Sequence, residues 1–242
     1  MLFLNLSRFL TFTSRMNLHK FQHQKVYIRT QPTLIKSSGK HIYLTPENNT
    51  YASITTKLAA TRNNSGIQFW KHRVGESVAK HILENAVSTG TKTHILIEDY
   101  LNNQISFQKE LLPNAHLRNM QPKLDQVNNI QFTEVALYSD ILKTAGTCDC
   151  VGDYDGVLSI LDWKTSRKKK QKAWIQDYFL QTTAYSIMYR EMTGIEVKQG
   201  VVLITAEDGS LDENVFDIAD YVDELDKRLK AYDNLNAITL PN

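Results

Sequence analysis

A hairpin signal between two strand-like runs is the sequence feature that most constrains the fold. The segment TAGTCDCVGDYDGVLSILDWKT, residues 144–165, holds two such runs joined at Asp155-Gly156. Asp-Gly is a strong hairpin signal because a type I′ turn needs positive φ at both central residues. A two-residue turn pairs Tyr154 with Val157, and stepping outward from that pair sets Asp149 opposite Asp162. The spacing therefore predicts two carboxylates on neighbouring strands.

The two carboxylates share one face with an amine. Directly opposed residues place their Cβ atoms about 4.5 to 5.5 Å apart, and strand alternation puts Lys164 on the face of Asp162. Two carboxylates about 5 Å apart repel each other by about 3 kcal/mol at an effective dielectric near 20, so a cation or proton is expected between them. Mg²⁺ prefers such oxygen ligands. The alternatives are solvated strand ends, an aspartate paired with Lys164, or a longer loop that shifts the register.

Helix-like and strand-like patterns alternate along the rest of the chain. Gly90 is expected to end one helix and Gly194 another. This order predicts an α/β (α+β) fold with a mixed sheet, not a helical bundle. The predicted helices cover residues 51–60, 67–87, 91–101, 106–125, 173–193 and 218–235, and the predicted strands cover 41–45, 131–140, 144–154, 156–165 and 198–207.

The N-terminal 37 residues differ from the remainder. The first acidic residue is Glu47, and seven basic residues precede it, whereas the rest of the chain holds 21 basic and 26 acidic residues. We expect residues 1–37 to be a poorly structured or mis-annotated extension, with Met16 as the true start or with a mitochondrial transit peptide at the N-terminus. Residues 38–242 are expected to form a single domain.

Composition excludes several classes of protein. No apolar run approaches the roughly 18 residues needed to span a bilayer, so no membrane association is expected. Cys148 and Cys150 are the only cysteines, too few for an iron-sulfur cluster or a four-cysteine zinc site. No P-loop is present, because Ser38-Gly39-Lys40 lacks the upstream glycine, and so no nucleotide cofactor is expected.

At this point the motifs resemble a known family. Asp149, the triplet Asp162-Trp163-Lys164 and the later pair Gln181 and Tyr185 together resemble the PD-(D/E)XK nuclease superfamily, in particular its RecB-like exonuclease branch. GTKTHILIEDYL and YASITTKL resemble two further segments of that branch, and over residues 40–235 the chain is similar to phage-encoded relatives of mitochondrial genome maintenance exonucleases. The resemblance implies a restriction-endonuclease-like core with a central mixed sheet, flanking helices and an N-terminal helical part. The chain departs from the family motif at one point: the proline that gives the superfamily its name is absent before the first aspartate, Asp149.

The resemblance also implies residue roles. His94, Asp149, Asp162 and the carbonyl of Trp163 would bind Mg²⁺, for which Mn²⁺ would substitute. Lys164 would be catalytic together with the two aspartates. Three residues would be auxiliary, namely Glu134, Gln181 and Tyr185. A basic segment would contact the DNA backbone, and it comprises Arg167, Lys168, Lys169, Lys170 and Lys172.

These roles imply a metal-dependent DNA exonuclease that prefers single-stranded ends, acts in replication, recombination or repair, and leaves a 5′-phosphate. We expect a monomer whose partners are DNA and replication or recombination proteins. The expected location is the cytoplasm of a phage-infected bacterium, or the mitochondrial matrix if the N-terminus is a transit peptide. Two alternatives are a structure-selective endonuclease or junction resolvase on the same fold, and a non-catalytic DNA-binding module.

Overall fold

The fold is built on a five-stranded mixed sheet in a computed structural model that describes residues 20–37 and 40–238. The strands lie in chain order, with β6 and β7 parallel and the other neighbours antiparallel. A second sheet of three antiparallel strands precedes it. The small sheet comprises β1 (Thr33–Ser37), β2 (Lys40–Leu44) and β3 (Thr50–Ala52), and the large sheet comprises β4 (Val127–Ser139), β5 (Thr144–Tyr154), β6 (Val157–Ser166), β7 (Gln199–Ala206) and β8 (Leu211–Asp217).

Helices cover both faces of the large sheet. The first, fifth and sixth helices pack on one face, and the third and fourth pack on the other. This arrangement confirms the predicted α/β class. No helix in the described ranges has the length and apolarity to cross a bilayer. The helices are α1 (Ile54–Thr61), α2 (Ser65–Val74), α3 (Glu76–Leu101), α4 (Leu111–Leu124), α5 (Gln176–Thr193) and α6 (Val222–Ile238), with short 3₁₀ turns at Lys172–Trp174 and Ile218–Tyr221.

The β5–β6 hairpin has the predicted turn. Asp155 has φ of 50° and Gly156 has φ of 78°, as a type I′ turn requires. The ladder runs from Tyr154–Val157 to Cys150–Leu161 in the predicted register. The helix predicted at 173–193 also ends where expected, because Gly194 adopts φ of 78° and its N–H bonds to the carbonyl of Arg190. This helix, α5, is the crossover that makes β6 and β7 parallel.

The predicted helix end at Gly90 is wrong. Helix α3 continues through Gly90, and the break falls instead at Gly75, whose φ of 87° separates α2 from α3. A glycine inside a helix costs only about 1 kcal/mol, which tertiary packing can outweigh. A Cβ atom added at Gly90 would lie 3.5 Å from the Thr165 hydroxyl, so the glycine lies directly against the end of β6.

Three strands were not predicted. The short strand β3 (Thr50–Ala52) overlaps the start of the helix predicted at 51–60, which begins instead at Ile54. Strand β8 reads LDENVFD, rich in residue types that are depleted in strands; it forms because it pairs along the edge of the sheet with β7. Strand β1 lies in the segment that the sequence analysis left out of the fold. Residues 1–19 of that segment lie outside the described residues, but Phe21 is buried among α3 and α4 and its N–H bonds to Asn103, so residues 20–37 pack on the domain.

Candidate active site

The candidate site lies where β5 and β6 separate. β6 pairs with β5 as far as Leu161 and with β7 as far as Ser166. One step beyond the last β5–β6 pair, the Asp149 carboxylate accepts the backbone N–H of Trp163 at 2.9 Å. The sequence predicted Asp149 and Asp162 as a ladder pair, and this is wrong for the described strands β5 and β6. A hydrogen bond to the Asp149 side chain joins the two strands there instead.

Asp162 and Lys164 form a close ion pair on one face of β6. Lys164 Nζ lies 2.7 Å from each carboxylate oxygen of the fully buried Asp162. Trp163 points to the other face and is 1% exposed in the cluster with α3 and α4. The predicted shared face of Asp162 and Lys164 is confirmed, and the pairing of Lys164 with an aspartate, which the sequence left open, is present.

Burial and charge act in opposite directions on this ion pair. Burial raises the pKa of Asp162 to about 6, with Lys164 opposing the shift and Asp149 adding to it. Burial lowers the pKa of Lys164, but the carboxylates of Asp162 and Asp149 outweigh it, so the pKa lies above its usual value. The amine is therefore charged and donates hydrogen bonds.

His94, Glu134 and Asp149 converge from α3, β4 and β5. The Nδ1 atom of His94 lies 3.6 Å from Glu134 Oε1 and 3.4 Å from Asp149 Oδ1. One ligand atom from each residue falls within 4.8 Å of the others. Two carboxylates and an imidazole are donors that divalent metal ions accept, so the residues present fit such an ion. Asp149 is only 6% exposed.

The charge of His94 responds to these carboxylates. Burial opposes protonation of His94, but Asp149 and Glu134 raise its pKa to about 10. Burial raises the pKa of Asp149, yet His94 and Lys164 hold it below its ordinary value. A metal ion binds the neutral form of an imidazole, so an ion that bound His94 would release a proton.

The backbone is distorted where Glu134 meets Asp149. Glu134 has φ of 47°, which is rare for a residue other than glycine. Its neighbours in β4 pair with Cys150 and Cys148, which flank Asp149, and those two cysteines pack in clusters on opposite sides of the sheet. Side-chain alternation is thus broken at Asp149. Such distortions persist where surrounding structure holds them, commonly at functional sites.

Gln181 and Tyr185 pack beneath the aspartates. Gln181 Nε2 donates to Tyr185 Oη at 3.0 Å, and both side chains are buried. Burial, followed by the charge of Asp162, raises the pKa of Tyr185 well above its usual value. A Cβ atom at Gly146 would lie 2.8 Å from the Tyr185 ring, so glycine is needed there.

The basic segment leaves β6 directly after the site. Arg167, Lys168 and Lys172 are exposed to solvent. Lys169 instead pairs with Asp212 at 2.8 Å, and Lys170 is half-buried and bonds to the Tyr178 hydroxyl. The basic segment therefore lies next to the site, but the side chains of two of its five residues already bond to other side chains of the protein.

Two nearby residues were not among the predicted site residues. Glu98 lies one turn after His94 on α3; burial raises the pKa of Glu98, and the charge of Glu134 adds to the shift. The ring of Tyr178 lies 5.3 Å from Lys164 Nζ. From the sequence, the one-turn spacing of His94 and Glu98 predicts that both can face one site, whereas nothing in the sequence marked Tyr178.

Comparison with known proteins identifies the family. The model of the PD-(D/E)XK nuclease superfamily matches residues 67–238, which is more than half of the chain. The chain belongs to this superfamily. Its members use divalent metal ions, in agreement with the donor set at His94, Glu134 and Asp149. The resemblance inferred from the sequence motifs is confirmed.

Three curated proteins are similar to this chain, all named mitochondrial genome maintenance exonuclease 1. The human protein is 29% identical over 179 residues, which is 68% of this chain and 52% of the human one. The mouse protein is 26% identical, covering 75% and 57% of the two chains, and the Xenopus tropicalis protein is 29% identical, covering 67% and 50%. The chain thus spans about half the length of these relatives.

Proposed function

We propose that this protein is a metal-dependent DNA exonuclease that hydrolyses phosphodiester bonds. The observation that carries the proposal is the convergence of His94, Glu134 and Asp149 beside the Asp162–Lys164 ion pair. The superfamily supports nuclease chemistry, and the names of the similar proteins support an exonuclease. Preference for single-stranded ends, a 5′-phosphate product, and a role in replication, recombination or repair are parts of the same proposal.

The proposed metal ligands are His94, Asp149, Asp162 and the carbonyl of Trp163, with Glu134 as an auxiliary group. Mg²⁺ is proposed because most of these donors are hard oxygen atoms, and Mn²⁺ would substitute for it. When bound, the ion would supply Lewis-acid activation of a phosphate oxygen and of the attacking water. The hydrogen bond from Trp163 N–H keeps Asp149 in place for this role.

Lys164 contributes charge and orientation. Its amine is held between the Asp162 carboxylate and the Tyr178 ring, and the pKa of Lys164 lies above its usual value. A charged amine orients the attacking water by donating hydrogen bonds, and it opposes the negative charge that develops on the phosphate. Water adds to phosphorus, the bond to the 3′ oxygen breaks, and that oxygen takes a proton, leaving a 5′-phosphate and a 3′-hydroxyl.

The exposed cations of the basic segment would contact the DNA backbone. Arg167, Lys168 and Lys172 supply charge without sequence preference, so binding should weaken as salt rises. Trp174 is 66% exposed at the end of this segment, and an exposed indole can stack on an unpaired base. Both features support a strand of DNA that approaches along residues 167–174.

The test uses end-labelled linear and closed circular DNA, each single- and double-stranded, with Mg²⁺, with Mn²⁺ and with a chelator. We expect metal-dependent shortening of linear single strands from their ends. Equal cleavage of circular single strands would favour an endonuclease, and DNA binding without cleavage under every metal condition would favour a binding module.

Two variants assign the activity to this site. Asp162→Ala removes the buried carboxylate and should abolish cleavage, whereas Asp226→Ala removes a surface carboxylate on α6 that pairs with Lys230 and should leave cleavage unchanged. Undiminished cleavage by Asp162→Ala would remove Asp162 from the catalytic role. Circular dichroism of both variants checks that each is folded.

A further inference from the structure

Two lysines share the ring of one tyrosine beside the site. Lys164 Nζ lies 5.3 Å from the centroid of the Tyr178 ring, and Lys170 Nζ lies 4.9 Å from the same centroid. Lys170 also bonds to the Tyr178 hydroxyl. Tyr178 is half-buried in the first turn of α5 and lies outside the Gln181–Tyr185 motif. It is therefore the contact between Lys164 and the basic segment.

The support that Asp162 gives Lys164 would weaken if Asp162 also bound a metal ion. In the present arrangement Asp162 holds the amine through both carboxylate oxygens. If Asp162 also binds a divalent cation, its oxygens are shared and the cation repels the ammonium group of Lys164. An aromatic face attracts an ammonium group through its quadrupole. The face carries no lone-pair donor for a hard metal ion, so it holds the lysine without competing for the metal.

We propose that Tyr178 is a positioning residue that keeps the Lys164 amine at the site while Asp162 serves the metal. The same ring also contacts Lys170, so Tyr178 connects the basic segment with Lys164. The inference rests on the proposed function in one respect, namely that Asp162 and Lys164 act as metal ligand and catalytic lysine. The ring contact itself exists in the metal-free protein and can be measured there.

A purely structural role is the competing explanation. Tyr178 packs against the small apolar cluster of Ile175, Phe179, Val202 and Ile204. Tyr221 packs against the same cluster, with its ring centroid 5.1 Å from that of Phe179. Among the described residues, the cation–π contacts do not include Tyr221. Tyr221→Leu is therefore a matched control that removes packing and leaves both lysine contacts.

The first measurement needs neither metal nor substrate. The measurement is an NMR spectrum of metal-free protein whose lysines are isotope-labelled at Cε. The signal of Lys164 is assigned by its loss in Lys164→Met. We expect the ring current of the aromatic side chain to displace the chemical shift of the Lys164 ε protons in the wild type and in Tyr178→Phe. In Tyr178→Leu and Tyr178→Met these protons should have the ordinary chemical shift of a lysine. An ordinary position in the wild type, or an unchanged displacement in Tyr178→Leu, would overturn the proposal; the wild-type signal decides even if both truncations unfold.

The second measurement is steady-state cleavage of linear DNA with Mg²⁺. Tyr178→Leu should lower kcat about tenfold with KM within about twofold, because the ring holds Lys164, whereas the proposed DNA contacts belong to the exposed cations of the basic segment and not to Lys170. Tyr178→Phe keeps the ring face and should stay within about threefold of the wild type. An equal fall of kcat in Tyr221→Leu would assign the effect to packing. A wild type that cleaves no DNA would refute the proposed function, while the Lys164 signal would still decide whether the ring holds the amine.

Discussion

The two ends of the β5–β6 hairpin are built from the same strands by different means. At the turn end, Tyr154 pairs with Val157 through the backbone, and two residues with positive φ close the loop. At the open end, the Asp149 carboxylate replaces the backbone partner of Trp163. Local conformational preference thus determines the turn end, whereas side chains from α3 and β4 complete the open end.

The two ends of the hairpin differ in what they contribute: the turn end stabilises the fold, and the open end holds the groups proposed for chemistry. The turn end is held by ladder hydrogen bonds, which tolerate changes of individual side chains. The open end buries Asp149, Asp162 and Lys164; an intact buried ion pair contributes little net stability, whereas removing one partner leaves a buried charge uncompensated. Substitutions at the open end should therefore reduce activity, with a stability cost set by the group left unpaired, and substitutions at the turn end should reduce stability alone.

The largest expected effect is at Asp149. Asp149→Asn keeps an oxygen that can accept the Trp163 N–H but removes the charge, so cleavage should fall on the order of a thousandfold while the free energy of unfolding changes by about 1 kcal/mol or less. Asp149→Ala also loses the hydrogen bond and should cost about 1 to 3 kcal/mol more. Kinetics and urea unfolding of both variants test this. Equal stability of the two would show that the Trp163 hydrogen bond does not hold the open end.

The next effect is on metal affinity at the open end. The pKa of His94, raised to about 10, lies above its unfolded value near 6.5. The His94–Asp149 interaction therefore stabilises the metal-free fold below about pH 6.5 and is lost as pH rises through about 10. If His94 binds the proposed Mg²⁺ as a neutral imidazole, the affinity for Mg²⁺ should rise about tenfold per pH unit between pH 7 and 9. Calorimetry in buffers of different ionisation enthalpy measures the released proton, and His94→Gln should release none; a pH-independent affinity in the wild type would contradict the assignment.

At the turn end we expect a stability effect alone. Gly156 has φ of 78°, and a Cβ atom added there meets nothing within 4 Å. Gly156→Ala should therefore cost about 1 kcal/mol through backbone strain only, with kcat unchanged. Gly66→Ala is the control, because Gly66 lies in α2 with equal space and alanine should stabilise that helix by up to about 1 kcal/mol. Thermal unfolding compares them, and a loss of kcat in Gly156→Ala would mean that the two ends are coupled.

The smallest effect is expected in the basic segment beyond the open end. Lys168 is exposed, whereas Lys169 already pairs with Asp212. Lys168→Ala should weaken DNA binding uniformly across sequences and reduce the slope of log affinity against log salt by about 1. Lys169→Ala should change that slope less. Fluorescence anisotropy over a salt series measures both, and an unchanged slope in Lys168→Ala would exclude a phosphate contact.

Short-range sequence preferences were enough to predict the β5–β6 hairpin and the end of the helix that follows it. The turn at Asp155-Gly156, the shared face of Asp162 and Lys164 and the helix end at Gly194 all depend on a few consecutive residues. Gly90 and β8 were misjudged because packing against β6 and pairing with β7 outweighed weak local preferences.

By itself the sequence determined the register of β5 against β6, the face on which the acid and the amine lie, and the family. Only the tertiary structure decided that Asp149 bonds to Trp163, that Glu134 adopts a left-handed backbone, that His94 reaches both carboxylates and that Tyr178 lies beside Lys164. The physical reason is range. Dihedral preferences and strand alternation act over a few residues, whereas these contacts join elements far apart in the chain and form only when α3, β4 and α5 pack around the sheet.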